Sequence, residues 1–475
     1  MDMTINKITI TETIKQVEDL LRSEKNASPS IQAMLRLLVM VINLLLDKLN
    51  LNSTNSSIPP SADPNRKRGS KTKTKGEKRK PGGQPGHVGT NLKKFDDPDE
   101  IETFSVDRRT IPADNYIHVG YETRQVIDIE ISRHVTEYRA EILQNTSGIQ
   151  YVAEFPEGVT RPVQYGIGVK AQTVYMSQQQ LIPYDRVQDY FSDQCNIPMS
   201  TGSLVNFNKE AYDLLENFEK IAQKKLIGAE VLNADETGIN VNGSRLWLHS
   251  ASNDLWSLFF PHEKRGLKAM VAMGILEKFN GVLCHDHWKP YFHFKCLHAL
   301  CNAHHIRELE HAAEQDDQKW AKEMQSLLLT INETVKNAGG FLATKESDEF
   351  LQKYRLILAK GNLECPAPEE NKKQGRTKRS KSRNLLERLT KFETETLRFM
   401  NDPKVPFTNN RGENDIRMTK VQQKISGCFR SMEGSKIFCR VRSYLLTCKK
   451  HGIKPTEALR ILFSKKLPDF VTKLE

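Results

Sequence analysis

AEVLNAD, residues 229–235, is a short apolar run that ends in an acid, and GVLCHD, residues 281–286, repeats the pattern. Each reads as a buried strand. Side chains at the carboxyl ends of such strands converge on the crevice where α/β folds hold ligands. Two neighbouring strands that end in Asp235 and Asp286 can hold divalent cations between them, because a hard ion such as Mg²⁺ takes carboxylate oxygen. The chain has 59 acids, so two strand-end aspartates alone are equally ordinary turn residues. Between the two runs, SRLWLHSAS and DLWSLFF read as a hairpin around Asn253, and KRGLKAMVAMGILEKF as an amphipathic helix. After them, HALCNAH reads as a further strand leading into a helix, HIRELEHAAE. Strand, hairpin, helix, strand, strand, helix is an α/β layer arrangement with part of its sheet parallel.

The remaining length, 475 residues in all, implies further domains around that layer. The net charge of +11 is modest for the length, but it is concentrated. Nine of the sixteen residues from 65 to 80 are Lys or Arg, among them Arg66, Lys67, Arg68, Lys78, Arg79 and Lys80. A second run, 372–383, has seven basic residues and no acid. Such runs serve as phosphate-binding arms or, more blandly, as solvated linkers. Eight cysteines without a C-x-x-C pair argue for a reducing compartment. Residues 1–10 lack the charged start and apolar core of a signal peptide, and the apolar run 34–46 contains Arg36 and Asn43. The expectation is a soluble, cytoplasmic protein with no membrane partner.

Seven segments follow from the pattern. In residues 1–50, Ile31, Leu35, Leu38, Ile42, Leu45 and Leu49 recur at 4-3-4-3-4 spacing, the seam of a coiled coil that would join chains into a homo-oligomer. The alternative is a helix buried in its own domain. Residues 51–94 are a basic, Pro/Gly-rich linker. Residues 95–155 alternate apolar and polar, as short antiparallel strands do, and 156–228 are helical with a helix-turn-helix pair around Pro198 and a Ser200/Thr201 cap. Residues 229–311 form the α/β layer, 312–404 a helical polar stretch, and 405–475 a further helix and the C-terminal region.

NADETG, CHDHWKPY, CNAHHIRELE and NNRGENDIRMTKVQQKISGCFRS, taken in that order, resemble the DDE transposases of the insertion sequence 66 family. The linker LNSTNSSIPPSADPNRKR, with RKPGGQPGH after it, looks like the same family's. The resemblance implies a multidomain α+β and α/β chain whose catalytic domain is RNase H-like, with 312–404 as a helical insertion. It also implies three catalytic, Mg²⁺-binding acids: Asp235, Asp286 and Glu413. Glu413 has a local alternative, a capping box in which Asn410 is the N-cap and Glu413 reaches back to its amide. Arg417, four residues on, can pair with Glu413 or contact DNA. The family's paired zinc cysteines are missing, since 95–229 holds only Cys195. A β domain without zinc is therefore expected.

CHDHWKPYFHFKCLHALCNAHH, residues 284–305, holds nine Cys and His residues. The two residues between Cys301 and His304 are too few for a zinc-finger loop, so no zinc ligand is expected. In the family reading His304 and Arg307 face the crevice, where cationic side chains would help hold the scissile strand. Trp288 and Tyr291 are candidates to stack on an unpaired base, or else pack as ordinary aromatics. Lys424 and Arg430 are candidate phosphate contacts.

The function expected is Mg²⁺-dependent cleavage at insertion-sequence ends followed by strand transfer, with two ions, Mn²⁺ as an acceptable substitute, and Asp235 and Asp286 sharing the metal. The partners expected are terminal inverted repeats, target DNA and helper proteins of the same element. The competing readings are a non-catalytic zinc-dependent DNA-binding protein and a decayed transposase that only binds DNA.

Overall fold

A computed structural model describes residues 4–5, 8–9, 17, 29–50, 92–368 and 379–472. Its centre is a five-stranded mixed sheet. The strands are β1 (Val231–Val241), β2 (Ser244–Ser252), β3 (Ser257–His262), β4 (Val282–His285) and β5 (Leu297–Leu300), arranged in the order β3-β2-β1-β4-β5. β1, β2 and β3 are antiparallel neighbours, whereas β4 and β5 run parallel to β1. The hairpin around Asn253 is present, with Asn253 Oδ1 accepting from the amides of Leu255 and Trp256. Gly281 leads into β4, where a Cβ would lie 2.4 Å from Glu230 O, the carbonyl that accepts from Val282 N. The close approach requires glycine.

Fifteen helices lie among the described residues: α1 (Pro29–Asn50), α2 (Ile167–Val174), α3 (Tyr184–Cys195), α4 (Thr201–Leu214), α5 (Glu216–Ile227), α6 (Leu267–Ala272), α7 (Asn302–Gln315), α8 (Lys319–Asn337), α9 (Thr344–Glu364), α10 (Lys381–Lys391), α11 (Glu393–Asn401), α12 (Asn410–Ser426), α13 (Met432–Lys450), α14 (Pro455–Phe463) and α15 (Asp469–Thr472). The sheet is covered on both faces. Leu232, Ala234, Leu283 and Leu258 join Phe218, Tyr444 and Leu459 in one core. Val282, Cys284 and Ala299 point the other way, into a core with Trp320, Tyr354 and Leu386 from the helical stretch after α7. That is why β4 reads as an unbroken apolar run rather than an alternation. A third core, with Ile239, Leu248, Ile416 and Phe438, lies under the far half of the β1–β2 hairpin.

Several expectations change. Asp235 is not at a strand end: β1 runs on to Val241, and Asp235 pairs with Ser250 of β2. β4 accompanies β1 only from Val231 to Asn233, so Asp235 lies past the end of the parallel half, where β4 has already turned away into Asp286. The amphipathic stretch 264–279 gives only the short α6, which stops before Gly274 at φ +73°. Between 95 and 155 the only strands are Ile142–Gln144 and Gln150–Val152, and apolar residues such as Val119, Val126 and Ile129 are exposed. Alternation supplies a face, but no second layer covers it here. The turn between α3 and α4 is as expected, with Asn196 in the left-handed region and the Ser200 hydroxyl accepting from Ser203 N. On α1, Ile31, Leu35, Leu38 and Leu45 are exposed and Val39 is buried. The arm residues Arg66, Lys67, Arg68, Lys78, Arg79 and Lys80 lie outside the described residues. No described helix is long and apolar enough to cross a membrane.

Candidate active site

Asp235, Asp286 and Glu413 are brought into one electrostatic neighbourhood by β1, the loop after β4, and the first turn of α12. Burial, the adjacent Glu236 carboxylate, and then Asp286 and Glu413 push the Asp235 carboxyl up to about 8. Burial raises Asp286 too, against the amide of Trp288 and the guanidinium groups of Arg265 and Arg388. Burial and the Asp286 charge raise Glu413, while Arg307 opposes them. Asp235 Oδ1 accepts from Glu236 N at 2.8 Å and Asp286 Oδ1 from Trp288 N at 3.0 Å. No ion pair reaches Asp235 among the described residues. Like charges left this close in a dry site are each held towards the neutral form until a cation arrives.

The placement of Glu413 depends on Asn409. β1 loses β4 as a neighbour after Asn233, and just beyond that rung Asn409 Nδ2 donates to Ala234 O at 2.8 Å. Asn409 Oδ1 in turn accepts from Asn233 Nδ2 at 2.7 Å, and Asn409 N donates to Cys301 Sγ at 3.1 Å. One buried amide therefore ties the start of α12 to the strand that carries Asp235. The capping box is not formed: the N-cap is Asn409, not Asn410, and its side chain bonds to β1. Glu413 instead lies beside Cys301 and His304. Arg417 is exposed and makes no ion pair with Glu413; the cation facing that acid is Arg307. At the far end of α12, Phe429 exchanges backbone bonds with Asn240 and Asn242, so the helix is fastened to β1 twice.

Four further neighbours carry no distinguishing signal in the sequence. Glu236 lies behind Asp235, almost completely buried, and is held by Arg265 at 2.8 Å and by the Tyr291 hydroxyl at 2.6 Å. NADETG contains that glutamate, but nothing local distinguishes it from Asp235. Arg265 also stacks on the Trp288 ring at 4.2 Å. Arg388, on α10, reaches across to Asp286 and pairs with Glu308 of α7, and burial pushes its guanidinium down to about 10. The fourth is the Cys301 thiol, at the end of the strand read in HALCNAH, whose sulfur lies 3.9 Å from Glu413 Oε1. Two candidate roles are corrected. Tyr291 is buried and spends its hydroxyl on Glu236, so it is not available to stack on a base. His304 is not a cation at neutral pH, because burial with Arg307 and Arg388 nearby lowers its imidazole to about 4. Lys424 and Arg430 are exposed on and just beyond α12.

Residues 162–437, over half of the chain and inclusive of all three acids, match the Transposase IS66 family. The chain belongs to the IS66 transposase family. Its function is accordingly transposition, and as a transposase it binds DNA. Residues 4–93 match a second family, one of unknown function (DUF6444). No curated protein matches the chain. DDE transposases use divalent metal ions, and carboxylate oxygen suits such an ion: the three acids are half-buried, Asp235 and Glu413 raised by burial and by other acids, and Asp286 by burial.

Proposed function

We propose that this transposase cuts DNA at the ends of an insertion sequence and joins the freed 3′-hydroxyl to target DNA, with Asp235, Asp286 and Glu413 as the metal-holding acids of an RNase H-like domain. The observation that carries this reading is the mutual repulsion of three half-buried carboxylates, with Asp235 pushed up to about 8. Two Mg²⁺ ions held there would neutralise the attacking and leaving oxygens of an in-line phosphoryl displacement, and Mn²⁺ would serve as well. The chain's own residues do the positioning. Asn409 fixes Glu413 against β1, and Arg265 with Tyr291 keeps the Glu236 charge out of the ligand set. Arg265 and Arg388 face Asp286 and Arg307 faces Glu413, and Arg307 with Arg388 would meet a phosphate beside the acids. His304, neutral, contributes shape and a hydrogen-bonding nitrogen rather than charge.

The remaining assignments belong to the same proposal. Residues 312–404 form a helical insertion, which meets the sheet through the second core. Arg417, Lys424, Arg430 and Trp288, together with Arg66, Lys67, Arg68, Lys78, Arg79 and Lys80, contact terminal repeats and target DNA. The α3–α4 pair reads DNA, α1 joins chains into a homo-oligomer, and helper proteins of the element take part. The test is strand cleavage by Asp286→Asn, which keeps the shape and removes the charge. Cleavage should fall by several orders of magnitude while binding to end DNA is retained, and Cys296→Ser should cut nearly as well as wild type. Near-normal cleavage by Asp286→Asn would refute the assignment.

A further inference from the structure

Cys301 is the N-cap residue of α7, His304 lies one turn into the same helix, and Glu413 faces both from α12. The Glu413 Oε1 atom lies 3.9 Å from Cys301 Sγ and 3.7 Å from His304 Nδ1. One ligand atom from each of the three residues falls within 4.8 Å of the others. Around a tetrahedral zinc ion, with bonds of about 2.0–2.3 Å, ligand atoms stand roughly 3.3–3.8 Å apart, so the cluster needs little adjustment to close on one. His304 Nδ1 is buried and has no hydrogen-bond partner. Cys301 Sγ already accepts from Asn409 N, a bond that also suits a thiolate ligand. Carboxylate oxygen alone suits magnesium, whereas thiolate and imidazole select softer ions.

We propose that Cys301, His304 and Glu413 form a second metal site, specific for a thiophilic divalent cation of the zinc class, which takes Glu413 away from the magnesium-binding acids. Binding is balanced by release of the Cys301 thiol proton to solvent, giving a neutral set of one cation, one thiolate, one carboxylate and one imidazole. The fourth tetrahedral position is open to water. The two sites compete for one carboxylate: zinc at Cys301 draws the Glu413 oxygen towards the thiolate and away from Asp235 and Asp286. The site is thus a zinc-operated brake. The braking, though not the binding, rests on the proposed role of Glu413 in catalysis.

Co²⁺ is the probe, added to the full-length protein in place of Zn²⁺ because a thiolate–cobalt bond gives a charge-transfer band in the near ultraviolet. Wild type should show the band at one Co²⁺ per chain, and Zn²⁺ should displace it. Cys301→Ser and His304→Gln should each weaken Co²⁺ binding by roughly tenfold or more. Cys296→Ser and Asp235→Asn should keep the band. Circular dichroism of both ligand variants separates loss of the site from loss of the fold, and Ser at 301 retains an acceptor for Asn409 N. Absence of the band in wild type, or its persistence in folded Cys301→Ser and His304→Gln, would overturn the proposal. In the same preparation, Zn²⁺ should suppress Mg²⁺-dependent nicking in wild type, and the ratio of nicking without and with Zn²⁺ should fall towards one in Cys301→Ser. A band without any Mg²⁺-dependent nicking would sink the catalytic reading and leave the metal site standing. Nicking without a band would do the reverse.

Discussion

Replacing Asp235, a titrating acid of the cluster, by Asn should stabilise the metal-free protein, and the size of the gain should depend on pH. Asp235 stays protonated in the fold up to about pH 8, whereas in the unfolded chain it ionises near its ordinary value of 3.8. An acid raised in this way contributes stability that is complete below its unfolded value and is lost as pH rises towards its folded value. At pH 7 the unfolded carboxyl is ionised and the folded one is not, a gap of roughly three pKa units, which at 1.36 kcal/mol per unit costs at most about 4 kcal/mol. At pH 5 the gap is about one unit, and the cost falls to about 1.5 kcal/mol. Asp235→Asn keeps the Oδ1 acceptor for Glu236 N and removes the titration. With chelator present, the variant should therefore match wild type near pH 4 and exceed it by a few kcal/mol at pH 7. Urea titrations followed by tryptophan fluorescence at a series of pH values test this, since Trp247, Trp256 and Trp288 all lie on or beside the sheet. Saturating Mg²⁺ should narrow the difference at pH 7, because the cation compensates the charge in wild type only. Parallel stability–pH curves for the two proteins, or a variant less stable at pH 7, would refute the claim that burial and neighbouring carboxylates destabilise the ionised form of Asp235.

Tyr291→Phe removes a buried hydroxyl from Glu236 and should cost about 1–3 kcal/mol in the same urea titration. DNA affinity by fluorescence polarisation should not change, and an unaltered stability would show that the hydroxyl does not support Glu236. Leu38→Asp with Leu45→Asp should leave the sheet domain folded and lower the mass seen by light scattering, because both side chains are exposed on α1. An unchanged mass would remove α1 as the joining element. Neutralising six basic residues within 65–80 should flatten the salt dependence of DNA binding, each lost phosphate contact lowering the slope by about 0.9. An unaltered slope would make the arm a linker only.

The order of strands around the two aspartates was legible because each strand is short, apolar and bounded by turn residues. Where each side chain falls along its strand was not. Asp235 looks like the end of a strand because the apolar run stops there, yet β1 continues as one arm of a hairpin whose partner, β2, supplies the pairing. The length of a strand is set by its neighbours, and neighbours are not a local property. Asn409 and Asn410 are equivalent in composition, and only the carbonyl left open on Ala234 chooses the first. Tyr291 carries no mark of burial: an aromatic next to a candidate acid reads as a stacking platform until Glu236 claims its hydroxyl. Arg388 comes from α10, and nothing in its own sequence surroundings points to Asp286. The alternation in 95–155 marks residues able to form strands, but a strand needs something to lie against.

The bond from Asn409 to Ala234 spans 175 residues of sequence. A chain emerging from a ribosome completes β1, its hairpin and β4 long before α12 exists, so two of the three proposed metal-holding acids are in place while the third is still untranslated. α13 then packs against β3, where the Ser443 hydroxyl accepts from Phe259 N and Thr447 Oγ1 from Ser257 N. Assembly of the site is therefore a late event that requires nearly the whole chain. On the proposed function that order is a safeguard: truncated products that stop between α8 and α11 can fold part of the sheet but cannot complete the proposed triad.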